Sequence, residues 1–407
     1  MNSEYLLTRG ARVGVMMAFV RRDQAMLNPS ERSTFVDALL ELKSSGVYDN
    51  YVKQHSQIGY NGHMGPAFLP WHREFLHRFE LELQNVTPGL TIPYWDWTFD
   101  NSPSASIWDA NFMGGDGKGA ERKVMTGRFA FDAGHWACLK IDIGAEYLTR
   151  EFGVHIASLP AAQDVADCLR ITPYDNPQWD TNSTPSFRNH LEGWIGTNIH
   201  NRVHEWVGGH MRPLSSPNDP LFWLHHANTD RLWAQWQSDH SDQTYLPQSG
   251  ALLGQNEPDP MDPWFGTTTI ASTLERKGFE YIYDTEWPAA QGDRMLPGDT
   301  LVAEQYLTSQ DGAYTFKFQA NGNLLLSRSE NNAPLWTSGT EGKAPGGVCI
   351  LQKDGDLAIF DAGYNRVWHT NTGSLDNRAS RFYVQYNGHA SIYRPDGRPV
   401  WSKPDAS

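Results

Sequence analysis

The sequence predicts a multidomain chain. It is mainly α over residues 1–293 and all-β over residues 294–407, the second part closing as a three-repeat β-prism. Three observations predict this. Up to residue 283 the chain carries helical periodicity with recognisable starts and stops. After "YDTEWPAAQGDRMLPGD" (283–299) that periodicity ends, and short alternating strands with Asn-Gly and Asp-Gly turns begin. The last part also repeats itself: "FQANGNLLLSRSENNAPLWTS", "LQKDGDLAIFDAGYNRVWHT" and "VQYNGHASIYRPDGRPVWSK" align, with Gln319, Gln352 and Gln385 each 33 residues apart.

The elements follow in order. "LNPSERSTFVDALLELKSSG" reads as a helix with Asn28 as N-cap, Pro29 at the first helical position and Glu31 completing the start. Phe35, Leu39, Leu40 and Leu42 form its apolar face, and Gly46 ends it. A second helix is expected around Arg73–Leu83, followed by a turn at "TPGL" and the aromatic run "IPYWDWTFD". Residues 101–182 are rich in Gly, Pro, Asp and Ser, which predicts long loops and short helices. Two more helices are expected, one starting near His200 and one over 219–236. In the β half each repeat ends near a tryptophan, Trp336, Trp368 or Trp401, and these are expected to form a shared core.

Composition narrows the partners. The chain has 407 residues, 39% hydrophobic and 12% aromatic, enough for large cores, and a formal net charge of −14. That charge argues against nucleic acid or an anionic membrane surface as a partner. No window approaches the roughly 18 apolar residues of a membrane span. The run "VGVMMAFV" is short for a signal peptide and lacks a small-residue cleavage site, so the chain as written reads as cytoplasmic, with export alongside a partner as the alternative. Cys138, Cys168 and Cys349 have no metal spacing. They read as buried or free thiols, with a Cys138–Cys168 bridge as the alternative.

The histidines carry the chemistry. His200 and His204 stand four residues apart in "HNRVHEWVGGHM", so a helix presents both imidazoles in one direction. With the pair His225–His226 they can supply three imidazoles to one ion. His55, His63 and His72 form a second such group. Neither group has cysteine or carboxylate ligands, and imidazole-only sites suit copper, zinc or iron. Two of them side by side suit copper cycling between +1 and +2, with dioxygen as co-substrate. Asp230 lies four residues after His226 on the same helix face, where it is expected to accept the other ring N–H of that histidine. That register favours His226 over His225, which stays open. Trp71, Phe68 and Phe222 read as core and pocket wall, His77 and His210 as surface or supporting residues.

"HMGPAFLPWHREFLHRFE", "HNRVHEWVGG", "NDPLFWLHHANTDRLW" and "IPYWDW" resemble the signatures of the tyrosinase family, a likeness covering roughly residues 20–287. The resemblance implies a helical-bundle core with a type-3 dicopper centre that oxidises phenols or catechols to o-quinones. It implies that His55, His63 and His72 bind one of two copper ions and His200, His204 and His226 the other. His55 lies only eight positions before His63. In relatives a glutamate shortly before the first histidine of the second site, and an asparagine directly after it, are thought to hold a water that deprotonates an incoming monophenol; here they are Glu192 and Asn201. The role is chemically reasonable, since a phenol near pKa 10 needs help to become a phenolate. Glu205 follows His204 and, if it faces the pocket, would attract amine-bearing aromatics; the alternative is that it points to solvent.

The C-terminal repeats resemble bulb-type mannose-binding lectins, whose Gln-x-Asp-x-Asn-x-Val-x-Tyr strand binds sugar. The candidate positions are Gln319, Asn321 and Asn323; Gln352, Asp354 and Asp356; and Gln385, Asn387 and Tyr393. No repeat is intact. Asn321 and Asn387 replace the aspartate, Asp356 and His389 the asparagine, and Ser327 and Phe360 the tyrosine. The spacing carries the fold more than the sugar binding.

The leading function is therefore a tyrosinase-like copper oxidase of phenols or o-diphenols. The alternative is an o-aminophenol or catechol oxidase without efficient monophenol hydroxylation. An oxygen carrier is disfavoured by the short chain with its single dicopper unit, and a lectin without enzyme activity by the complete histidine set. The partners that fit are a phenolic, catecholic or aminophenolic small molecule, a glycan, and a copper-delivery protein.

Overall fold

The computed structural model describes residues 19–404, except Asn28, Lys277, Gly278, Glu280, Asp284, 286–291, Tyr364 and Ala379. Most of the apolar N-terminal run, the expected cap Asn28 and much of the linker lie outside the described residues.

Among the described residues of the first part lie eight α-helices: α1 (Pro29–Ser44), α2 (Val47–Ile58), α3 (Phe68–Val86), α4 (Ala162–Leu169), α5 (Phe187–Glu192), α6 (His200–Val207), α7 (Leu221–Asp239) and α8 (Ile270–Leu274). Helices α3 and α7 pack on each other and are buried on nearly every side. That is why α7 does not read as strongly amphipathic in sequence. Helix α3 runs longer at both ends than expected, and α2, which carries His55, was not foreseen as a helix. Gly46, at φ +79°, breaks α1 and starts α2 in one residue. Between α3 and α4 the chain forms short 3₁₀ turns, a two-stranded ribbon and loops, as its composition predicts.

Charged groups tie distant segments together inside this part. The strand Phe19–Arg21 pairs in parallel with Tyr281–Tyr283. Buried Arg21 bonds Glu80 at 2.9 Å, and Arg73 bonds Asp230 at 2.6 Å. Arg150 and Arg188 bond Asp219 and Asp175, each at 2.7 Å, fully buried. Breaking such a pair by removing one partner typically costs about 3–5 kcal/mol.

From Arg294 onward the chain is rich in β-strands. They form three antiparallel four-stranded sheets. One joins strands 306–308, 314–318, 324–328 and 334–337; the second joins 300–302, 348–351, 357–360 and 366–369; the third joins 294–295, 381–384, 390–393 and 399–403. The hairpin turns place Gly322, Gly355 and Gly388 at φ +83° to +87°, where a side chain is disfavoured. Trp336, Trp368 and Trp401 meet, with ring centroids 5.4–6.4 Å apart. They pack from the rim onto a buried cluster that includes Leu301, Phe316, Leu351, Phe382 and Ile392, so the core is aliphatic and phenylalanine-rich rather than built of tryptophan.

All three cysteines are free and buried; no Cys138–Cys168 bridge forms. Burial pushes the thiols of Cys138 and Cys168 up to about 12, so they stay protonated and inert.

Candidate metal centre

Helices α2, α3, α6 and α7, with the loop between α2 and α3 that carries His63, bring the six expected histidines into two adjoining groups. His55, His63 and His72 form one; His200, His204 and His226, with His225, form the other. The His72 and His226 rings stack across the boundary with centroids 4.4 Å apart. Phe222 stacks on His226 at 4.1 Å, and Phe68 lies 4.9 Å from both His72 and His200, so these phenylalanines wall the site as expected.

Hydrogen bonds fix the tautomers. His55 Nδ1 faces the Leu214 carbonyl at 2.5 Å, His63 Nδ1 that of Gly59 at 3.1 Å, and His72 Nδ1 that of Phe68 at 2.8 Å. A carbonyl oxygen only accepts, so each Nδ1 carries the proton and each Nε2 a lone pair. In the second group His200 Nδ1 donates to Asn201 Oδ1 at 3.0 Å, with the Glu192 carbonyl at 3.3 Å, and His204 Nδ1 donates to the Met211 carbonyl. The three Nε2 atoms of His200, His204 and His226 stand 3.1–3.3 Å apart, and those of His55 and His72 stand 3.3 Å apart.

The lone pairs of His200 and His204, and those of His55 and His72, face each other at that distance and repel unless a cation lies among them. A proton is a poor candidate. Burial lowers the pKa of every histidine here, that of His63 and His204 to about 4. The donor set therefore fits a metal ion, with spacings compatible with metal–nitrogen bonds of about 2.0–2.1 Å.

His225 differs. Trp97 donates its indole N–H to His225 Nδ1 at 3.0 Å, so the lone pair sits on Nδ1 and a neutral His225 carries its proton on Nε2. It lies among the other rings, but its tautomer is the wrong one for an Nε2 ligand.

Asp230 does not support His226. Its carboxylate is taken by Arg73, by Arg21 at 3.4 Å, and by the hydroxyls of Tyr281 and Tyr283 at 2.5 and 2.7 Å. His226 Nδ1 has no hydrogen-bond partner among the described residues. The expectation failed because four partners from elsewhere in the chain draw the carboxylate away from its own helix.

Glu192 is buried at the end of α5. It accepts the Met64 backbone N–H at 2.5 Å and Arg188 Nη1 at 3.0 Å. Burial raises its pKa and Arg188 opposes the rise. Glu192 thereby anchors the residue after His63, while Asn201 orients His200. Glu205 is paired with Arg212 at 3.0 Å on a half-exposed surface, which neutralises the charge expected to attract amines. His77 is half-buried with its ring edge-on to Phe279, whereas His210 is fully buried and bonded to Thr149. Arg188 was missed in the sequence, although its spacing of four from Glu192 was readable.

The candidate sugar positions are spent largely on the protein itself. Asn323 Oδ1 accepts from Thr337, Ser338 and Thr340, and Asn323 Nδ2 donates to Gln319. Asn321 bonds Glu341. Asp356 accepts from His369, Thr370 and Thr372, and Asp354 from the Asp356 N–H. Gln385 bonds Tyr393 and Ser391, and Asn387 the His389 N–H. The Gln352 N–H bonds the Asp356 carbonyl. In the third repeat Gln385, Asn387 and Tyr393 line a cavity of about 380 Å³ whose opposite wall is Arg32, Phe99 and Asp109 of the helical part.

Residues 45–239 match the common central domain of tyrosinase. A tyrosinase of Streptomyces glaucescens is 45% identical over 276 residues, covering 66% of this chain and 99% of that protein. The chain belongs to the tyrosinase family. It is a copper-dependent, tyrosinase-like oxidoreductase acting on phenols. Another similar member is the grixazone synthase of Streptomyces griseus, 40% identical over 313 residues, covering 66% of this chain and all of that protein. A solved polyphenol oxidase from Thermothelomyces thermophila, 22% identical, covers 65% of this chain and 88% of its own with a TM-score of 0.50, a likeness of fold alone. Among the described residues no helix is long and apolar enough to cross a membrane.

Proposed function

We propose that His55, His63 and His72 hold one copper ion and His200, His204 and His226 a second, and that with dioxygen the chain converts phenols and o-diphenols to o-quinones. The observation that carries this reading is the convergence of imidazole Nε2 atoms in two adjoining groups. Bound copper supplies the electron transfer and the reactivity toward dioxygen. The chain contributes the rest. Backbone carbonyls on Nδ1 hold His55, His63, His72 and His204 in register, and Asn201 does so for His200. Burial keeps the imidazoles neutral, and Phe222 and Phe68 exclude water beside them.

Glu192 keeps acceptor capacity on both oxygens beyond its bonds to Met64 and Arg188, and the Asn201 amide keeps its N–H donors beyond the His200 bond. In our reading they hold the water that takes the phenolic proton. One observation favours the second reading, an o-diphenol or o-aminophenol oxidase with weak hydroxylation. The Arg188 ion pair opposes the rise that burial gives the Glu192 pKa, so Glu192 is a weaker base than its burial alone would make it.

For the β-rich part the reading is a lectin-like three-repeat β-prism over residues 294–407, supported by the three sheets and the 33-residue repeat. Its degenerate motif residues bond one another, which supports a packing role over glycan capture.

The test is oxygen uptake by copper-loaded protein with a simple monophenol, tyrosine, a catechol and o-aminophenol, beside copper analysis. Uptake with monophenol and catechol at two coppers per chain is expected. Uptake with catechol or o-aminophenol alone would favour the second reading. No copper-dependent uptake with any of them would overturn both.

A further inference from the structure

We propose that Arg381, in the β-rich part, is a positioning residue for the second imidazole triad and acts through Asp96, Trp97 and His225. The inference rests on the reading of His200, His204 and His226 as metal ligands.

Arg381 leaves its own sheet to enter the helical part. Its two terminal nitrogens bond Asp23 at 2.7 Å and Asp96 at 2.9 Å, and its guanidinium lies 3.5 Å from the Phe99 ring centroid. It is buried, so each bond forms in a low-dielectric setting where losing one partner is felt strongly.

Asp96 organises the turn around it. Its Oδ2 meets Arg381 while its Oδ1 accepts the Thr98 hydroxyl at 2.6 Å and the Thr98 N–H at 3.1 Å. The same turn is laced to α7, with the Trp95 N–H donating to the Leu224 carbonyl at 3.0 Å and Trp97 Nε1 to His225 Nδ1 at 3.0 Å. His225 in turn stacks on His200, centroids 4.7 Å apart at 17°, and meets His204 edge-on, also at 4.7 Å. Every link from Arg381 to the second triad is thus a bond or ring contact between buried or nearly buried groups, and none of them touches His55 or His63.

Without Arg381, the carboxylates of Asp23 and Asp96 lose their shared counter-charge. The turn must then shift or take up protons, and Trp97 moves with it. A displaced Trp97 frees His225 to rotate or change tautomer against His200 and His204. The first triad meets this chain only at second hand, where His72 stacks on His226.

A spatial chain is not itself coupling, so the test must be selective. It uses full-length chain in two backgrounds: His72→Ala, which keeps the second triad, and His204→Ala, which keeps the first. Copper(II) affinity is measured by competition with a chelator, with and without Arg381→Met. The expected result is a 10–100-fold weaker Kd in the His72→Ala background, the range typical of outer partners of metal ligands, and little change in the His204→Ala background. Trp97→Phe leaves the domain contact intact while removing the indole N–H, and is expected to give the same selective loss; Gln310→Ala, which removes the Arg22–Gln310 contact between the two parts, is expected to give none. Equal weakening in both backgrounds, or no change with Arg381→Met and Trp97→Phe, would overturn the proposal. Failure of the His72→Ala background itself to bind copper would overturn the metal reading beneath it, and the proposal with it.

Discussion

Asp230 is held by Arg73 at 2.6 Å, not by the histidine one helical turn before it. Its carboxylate closes a buried cluster with Arg21, Tyr281 and Tyr283, which fastens the strand pair 19–21 and 281–283 to helices α3 and α7. The two arginines and the tyrosine hydroxyls pull its pKa down despite its burial. Asp230→Asn should therefore act on stability. Leaving Arg73 and Arg21 buried with a neutral amide costs about 3–5 kcal/mol. Copper content should stay unchanged in the folded fraction. Thermal melts and metal analysis check this; copper loss at unchanged stability would return Asp230 to the metal site.

The two triads make a paired prediction. His72→Ala and His200→Ala should each halve copper content and abolish oxidation of catechol. The loss should exceed the roughly 10–100-fold caused by removing a ligand's outer partner, because a ligand itself is gone. Substantial catechol turnover by either variant at one copper per chain would contradict a two-ion centre.

Glu192→Gln tests the proton-taking role with little change of shape. Met64 N–H and Arg188 bond different oxygens of Glu192; a glutamine oxygen turned to Met64 keeps the residue after His63 anchored, at the cost of the Arg188 bond, which its NH2 cannot accept. Loss of a general base typically costs 10²–10⁴-fold. About 100-fold lower kcat/KM on a monophenol, with catechol oxidation little changed, is expected. Equal loss on both substrates would mean that Glu192 serves the fold.

What the sequence made legible was local. Residues four apart on a helix share a face whatever surrounds them, so His200 with His204 could be read directly. The same rule misled for His226 and Asp230. Sharing a face allows contact but does not compel it, and Arg21, Arg73, Tyr281 and Tyr283 come from segments far away in the chain. Trp97 and His225 are 128 residues apart, and Arg381 and Asp23 are 358 apart. No local periodicity encodes such pairs. Helix α2 was readable from Tyr48, Val52 and His55 at helical spacing behind Gly46.

The carboxylates around Arg381 set a pH dependence with two opposing signs. Burial pushes Asp96 up, but Arg381 and Arg231 draw it down further, to about 2. An unfolded aspartate titrates near 3.9. The stability Asp96 contributes is therefore fully present above about pH 4 and lost as pH falls toward 2. Asp100 behaves oppositely. Burial first, then the neighbouring charge of Asp23, and also Asp96, push its pKa well up, while Arg381 and Arg32 oppose them only in part. A carboxyl raised in the folded state favours folding below its unfolded value, and that contribution is lost as pH rises through the folded one. At neutral pH the protein thus carries the cost of keeping Asp100 in a site that resists its ionisation. Gln24 already donates its side-chain amide to Asp100 Oδ2, a bond that an asparagine oxygen can accept. Asp100→Asn should raise the melting temperature at pH 7–8, and the gain should shrink as pH falls toward 4, where the native aspartate is protonated in the folded chain. Melting curves of both proteins across pH 4–8 check this. A gain that does not change with pH, or a loss at pH 7, would show that Asp100 is ionised and held by Arg381 and Arg32 instead.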